Sequence, residues 1–197
     1  MSKRLVFGAS GYIGSYLAPF LASQGIEVRA TSRNVDVIAS REWSNVELAE
    51  ADALQVETLD DALEGIDIAY YLVHSMAAGK NFPELDATAA RNFAAAAERQ
   101  GVKRIVYLGG LVPDKPKSMH LRSRQETGDI LRAGSVPVTE IRAGMIIGPG
   151  SAAWEVIRDL VNHLPVMVTP RWVFSRNQPI AIRNVIDYLV GCLDRNE

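Results

Sequence analysis

Arg4-Leu5-Val6-Phe7-Gly8-Ala9-Ser10-Gly11-Tyr12-Ile13-Gly14 is the stretch that decides the fold. Arg4 to Phe7 are strand formers that stop at a glycine, and Ile13, Leu17, Phe20 and Leu21 then recur on one face of a helical repeat. Gly8, Gly11 and Gly14 punctuate the turn between them as G-x-x-G-x-x-G. Glycine suits these places for three reasons. The turn is tight, a pyrophosphate has to reach the backbone with no Cβ in its way, and the helix packs closely on the strand. The phosphate charge is then met by free N–H groups at the helix N-terminus. A bound dinucleotide is therefore expected against Gly8, Ser10, Gly11, Tyr12, Ile13 and Gly14. Pro19 falls inside the helix, where it removes a hydrogen bond and is expected to kink the chain.

The alternation continues downstream. Strands are expected at Val28 to Thr31 and Val46 to Leu48, and a helix from Thr58 to Leu63 ends at Gly65. Ile66 to Val73 are apolar almost throughout, as in a strand buried on both faces of a parallel sheet. An alanine-rich helix from Leu85 to Gln100 ends at Gly101, and Arg104 to Leu108 form the next buried strand. A helix near Ser123 to Arg132, a strand at Val138 to Arg142, and helices near Trp154 to Leu164 and Asn184 to Leu193 complete the order. Such a chain is α/β, a doubly wound, mostly parallel Rossmann sheet with helices on both faces. Residues 1–197 read as a single domain, and 151–179, with Trp154, His163, Arg171, Trp172 and Arg176, as a small substrate-side segment. His163, in an apolar helix, is read as a packing residue.

Composition narrows the partners. A formal charge of -2 with interspersed signs offers no basic stripe, which argues against nucleic acid. The one cysteine, Cys192, leaves neither a disulfide framework nor a Cys/His spacing for zinc, so no metal is expected and a reducing compartment fits. The start of the chain lacks the apolar run of a secretory signal, and no stretch approaches the roughly 20 apolar residues that span a bilayer. A cytoplasmic protein is expected.

At the end of the second strand a carboxylate would grip the 2'-hydroxyl of NAD, whereas a cation accepts the 2'-phosphate of NADP. Thr31, Ser32 and Arg33 stand there, so NADP is the first choice and NAD the second. Asp52, just after the third strand, is placed to reach the adenine amino group. Val73, His74 and Ser75 close the buried fourth strand on the side where open α/β sheets bind ligands, which makes Val73 and His74 cofactor contacts. Trp154, Trp172 and Met145 are candidates for an apolar substrate pocket, although such residues also serve as plain packing.

VFGASGYIG, YYLVHSM, GVKRIVYLGG, RAGMIIGPG and QPIAIRNVIDYLV together resemble, in order, the segments of the extended and atypical short-chain dehydrogenases. Within that superfamily the chain is most similar to NmrA-like NAD(P)H-binding proteins, some of which carry a further C-terminal domain. That leaves open that the sequence is part of a longer chain. The resemblance implies a serine after the fifth strand and a Tyr-x-x-x-Lys pair opening the next helix, the tyrosine moving the proton and the lysine holding the ribose. The sequence departs from this set. Gly109 and Gly110 stand at the serine, His120 at the tyrosine and Arg124 at the lysine. Arg124 still donates to ribose hydroxyls, and His120 is an acid or base near neutral pH. The resemblance thus implies an NADP(H)-binding oxidoreductase of a small carbonyl or quinone, with His120 and Arg124 as the catalytic pair. Its alternatives are a non-catalytic NAD(P) redox sensor with a regulatory protein partner and, keeping the fold but needing the missing tyrosine, a nucleotide-sugar epimerase or dehydratase.

Overall fold

The computed structural model describes residues 2–75, 79, 81–113, 118–164 and 177–193. Strands β1 (Arg4–Phe7), β2 (Val28–Ser32), β3 (Val46–Glu50), β4 (Ile68–Tyr71), β5 (Arg104–Gly110) and β6 (Val138–Ala143) pair in the order β3-β2-β1-β4-β5-β6. Every pairing in this sheet is parallel. Helices α1 (Tyr12–Ser23), α2 (Val35–Ala39), α3 (Val56–Leu63), α4 (Phe82–Arg99) and α5 (Met119–Ala133) connect successive strands. Beyond β6 come β7 (Ile146–Ile147), α6 (Ala152–His163), β8 (Ile180–Ala181) and α7 (Ile182–Gly191), with β7 and β8 forming a separate parallel pair. This is the doubly wound sheet expected of the alternating pattern.

The two-residue period of a strand explains the unbroken apolar runs, because each face of the sheet meets its own layer of helices. Leu5, Phe7, Ala69, Tyr71, Ile105 and Tyr107 point to one side and pack with Leu59, Leu63, Ala90 and Phe93 of α3 and α4. Val6, Tyr70, Val106 and Leu108 point to the other and pack with Leu17 and Leu21 of α1 and Val185, Ile186 and Leu189 of α7. Phe7, Tyr71 and Phe93 lock the first side through a ring cluster with centroids 4.8 to 5.8 Å apart.

Several bounds differ from the sequence pattern. Helix α5 starts four residues before Ser123, at Met119, which puts His120 and Arg124 one turn apart on a single helix. Helix α2 carries no periodic apolar stripe long enough to read; Asn34 caps it by accepting the Asp36 N–H at 2.9 Å. Pro19 does not interrupt α1, which continues to Ser23. His163 lies exposed on α6 rather than packed, with its Nδ1 2.8 Å from the Asp159 carbonyl. Arg171, Trp172 and Arg176 lie outside the described residues.

Candidate functional site

The strand order reverses between β1 and β4, and a crevice opens there above the C-terminal ends of the strands. The glycine turn sits on its floor. Gly8 has φ +93°, and a Cβ on it would stand 2.7 Å from Val73 Cγ1. A Cβ on Gly14 would stand 2.6 Å from both Ala9 Cα and the Gly8 oxygen. Gly8 and Gly14 are thus required by the fold. Gly11 differs, since its Cβ would meet only the Gly8 oxygen, at 3.3 Å. It faces the crevice, and its missing side chain leaves the space a ligand backbone needs. Helix α1 begins at Tyr12 with no side-chain cap and no acidic residue in its first turn, so its N-terminal N–H groups and dipole face the same space. Behind the turn, Arg41 donates to the carbonyls of Ala9 at 3.1 Å and Ser10 at 2.9 Å, with its guanidinium 5.3 Å over the Trp43 ring.

Two cavities meet at Gly11. The smaller, about 530 Å³, is lined by Gly8, Ser10, Ser32, Arg33, Asp52, Val73 and His74. Ser32 is buried and Arg33 exposed. The Asp52 carboxylate accepts the Leu54 N–H at 3.0 Å, which fixes the loop after β3. The larger cavity, about 1330 Å³, is lined by Tyr12, Ile13, Gly14, His74, His120 and Arg124, with apolar walls from Leu108, Leu111, Leu121, Met145 and Ile146. Apart from Thr31, which is fully buried and lines neither, the residues singled out in the sequence for cofactor or proton chemistry each line one of two adjoining spaces. Trp154 does not join them; it is 37% exposed on α6.

Arg124 donates to the Leu108 carbonyl and lies 5.3 Å over the Tyr107 ring, while Tyr107 donates its hydroxyl to the Arg124 carbonyl at 2.9 Å. The guanidinium is thereby fixed at the end of β5. The rings of His74 and His120 stand edge to face with centroids 6.2 Å apart. Burial first, then the Arg124 cation, hold both imidazoles below their ordinary value, and the Asp86 carboxylate opposes this. His74 opens to the cavity, where water tempers the effect.

Asp86 escaped the sequence reading. It is 5% exposed on α4, accepting the Ser75 N–H at 2.6 Å and the Ser123 hydroxyl at 2.8 Å. A signal existed, since residues 86, 90, 93 and 97 share one helix face on which Ala90, Phe93 and Ala97 are buried, and an acid in such a stripe needs partners. Arg41 was also missed; nothing in its local pattern marks it. At the serine position, a Cβ on Gly109 would fall 2.5 Å from Glu140 Oε1, whereas one on Gly110 would have only Leu121 Cδ2 at 3.6 Å.

The parallel sheet, its reversal point and the open space beside Gly11 define a dinucleotide-binding protein of the Rossmann class. A family model described as NAD(P)H-binding matches residues 8–154, more than half of the sequence, and the chain belongs to that family. The cradle fits a nicotinamide dinucleotide, because the gap at Gly11 admits the pyrophosphate and each cavity has room for one arm. Sterol demethylase protein B of Methylococcus capsulatus is 31% identical over 107 residues, covering 52% of this chain and 33% of that protein. The chain thus spans about a third of that curated relative. Among solved structures, Pen from Bacillus thuringiensis superposes with TM-score 0.82 at 16% identity, covering 99% of this chain and 65% of its own. A triphenylmethane reductase from Citrobacter sp. complexed with NADP(H) gives 0.64 at 23% identity, covering 74% and 50%. These structural likenesses establish the fold. Among the described residues no helix is long and apolar enough to cross a membrane.

Proposed function

We propose that the protein binds NADP(H) ahead of NAD(H), in the cytoplasm, and serves as an oxidoreductase of a small carbonyl or quinone. The observation that carries this reading is the pair of cavities joined at Gly11, with Ser32 and Arg33 in the smaller and His74, His120 and Arg124 in the larger. The adenosine arm then lies over β2 and β3, where Arg33 and Ser32 meet a 2'-phosphate and Asp52 the adenine edge. The nicotinamide arm lies over β4 and β5, and when bound it supplies the hydride chemistry. The protein's own part is to position and to move a proton. Arg124 donates to the ribose from its fixed place at the end of β5. His120 is the proton donor or acceptor in place of the family's tyrosine, with His74 across from it. The apolar walls suit a substrate without charge.

A second reading is favoured by Gly109 and Gly110, which leave no hydroxyl at the end of β5. On it, the protein senses the redox state of the cofactor and reports it to a protein partner without turnover. Calorimetric titration with NADPH, NADP, NADH and NAD, followed by a screen of carbonyls and quinones at the nicotinamide absorbance, tests both. Tight NADPH binding with turnover is expected. Failure of all four dinucleotides to bind refutes the proposal, whereas unequal affinity for the two redox forms without turnover favours the sensor.

A further inference from the structure

His74 and His120 come from different elements, the segment after β4 and the first turn of α5, yet their rings meet on the wall of the larger cavity. Asp86 explains how. Its carboxylate ties the Ser75 N–H, one residue from His74, to the Ser123 hydroxyl, three residues from His120. It holds the two ring-bearing segments at a set spacing and places a buried negative charge near both. Among the described residues, Arg124 on α5 is the cation facing the pair. Among them too, Tyr71 on β4 and Tyr107 on β5 interact with the same Asp86 and Arg124, and burial raises both hydroxyls so that they stay neutral.

The inference rests on the reading above, in which the nicotinamide arm occupies the larger cavity. An oxidised nicotinamide ring carries a positive charge that the reduced ring lacks. The rest of the molecule, 2'-phosphate included, is the same in both forms, so a difference between their affinities isolates that charge. We infer that the His74–His120 pair, with Asp86 as its buried counter-charge, is a proton-linked redox selector: a proton on the pair discourages the oxidised cofactor and leaves the reduced one in place. When the oxidised form binds the protonated protein, one proton leaves to solvent; when the reduced form binds, none does. Were the ring held about 6 Å from the pair, like charges at an effective dielectric of about 20 would amount to roughly a hundredfold in affinity, and water at the cavity mouth would cut this to about tenfold. Burial and Arg124 put proton uptake on the acid side of the ordinary imidazole range, which sets the working window below about pH 6.5.

The test is calorimetric titration of the full chain with NADP and NADPH from about pH 7.8 to about pH 4.5, repeated in buffers of different ionisation enthalpy to count protons. The ratio of the NADP to the NADPH dissociation constant should rise about tenfold on acidification, with proton release for NADP alone. The double variant His74→Gln/His120→Gln should make the ratio flat. Asp86→Asn, which keeps an acceptor for the Ser75 N–H and removes the charge, should move the rise to lower pH. A constant ratio in the parent protein, or a slope that survives in the double variant, overturns the inference alone. Failure of both dinucleotides to bind the folded parent overturns the functional reading and the inference with it. Should the double variant not fold, imidazole proton resonances of the parent decide between the same outcomes: they must titrate at lower pH with NADP bound than with NADPH bound, and identical titrations overturn the selector.

Discussion

Replacing Gly11 by aspartate should leave the protein as stable as before, or more so, while abolishing dinucleotide binding. Gly11 is the N-cap of α1 with φ -72° and ψ 171°, extended backbone open to any residue, and a Cβ there meets only the Gly8 oxygen at 3.3 Å. Aspartate is among the best N-cap residues because its carboxylate accepts the N–H of the second or third helical residue, Ile13 or Gly14 here. Over glycine that contributes a few tenths of a kcal/mol, and the helix dipole adds up to about 1 kcal/mol. The Gly8 carbonyl has to give by a few tenths of an ångström to the new Cβ, so the melting temperature should hold or rise by up to about 4 °C. On the proposed reading the same N–H groups meet the pyrophosphate, so the variant would fill its own anion site. A carboxylate about 5 Å from a phosphate charge at an effective dielectric of about 20 costs about 3 kcal/mol, roughly a hundredfold, before the displaced N–H bonds are counted. Thermal unfolding and calorimetry with NADPH check both halves. A folded variant that binds NADPH like its parent refutes the role given to this turn, and a melting temperature lowered by several degrees refutes the capping geometry.

Arg33→Ala should weaken NADPH by about tenfold to a hundredfold, the value of one charge-assisted hydrogen bond, and leave NADH nearly unchanged; equal losses for the two would remove Arg33 as the discriminator. Gly109→Ser, pressed against Glu140 and Tyr107, should lose about 1 to 3 kcal/mol, while Gly110→Ser stays within about 0.5 kcal/mol of the parent, and equal denaturation midpoints would contradict the packing described. Burial pushes the Glu140 carboxyl up, but Arg142 and Arg132 outweigh it and hold the group below its ordinary value of 4.5. Its contribution is therefore present above about pH 4.5 and fades as the pH falls through the lowered value. Glu140→Gln should accordingly melt lower than the parent near neutral pH and converge with it in acid; a gap that ignores pH would rule out the ion pairs as its cause.

The sheet was legible because burial on both faces writes long apolar runs at Ile66 to Val73 and Arg104 to Leu108, and because glycine punctuation marks where strands hand over to helices. What escaped was short or non-local. Helix α2, Val35–Ala39, has too few residues to show a period, and β7 and β8 have two each, held by a pairing between Ile146 and Ile180 far apart in sequence. The start of α5 was misplaced because Ser118, the N-cap, makes no side-chain bond and is followed by Met119 and His120, which carry no start signal. For the site, the glycine turn could be read locally because its demands are local. The meeting of His74, Asp86 and His120 could not, since three separate elements supply them and only the sheet order brings those elements together.

Arg41 ties the phosphate turn to the segment that follows β2, through the carbonyls of Ala9 and Ser10. That tie limits how the protein can be re-engineered. The segment from Arg33 to Arg41, helix α2 included, looks like a free module for exchanging cofactor preference, but its far end is moored to the glycine turn on the crevice floor. A graft that swaps the proposed 2'-phosphate contacts has to carry an arginine at the same reach, or it should loosen the glycine turn and weaken NADPH and NADH together.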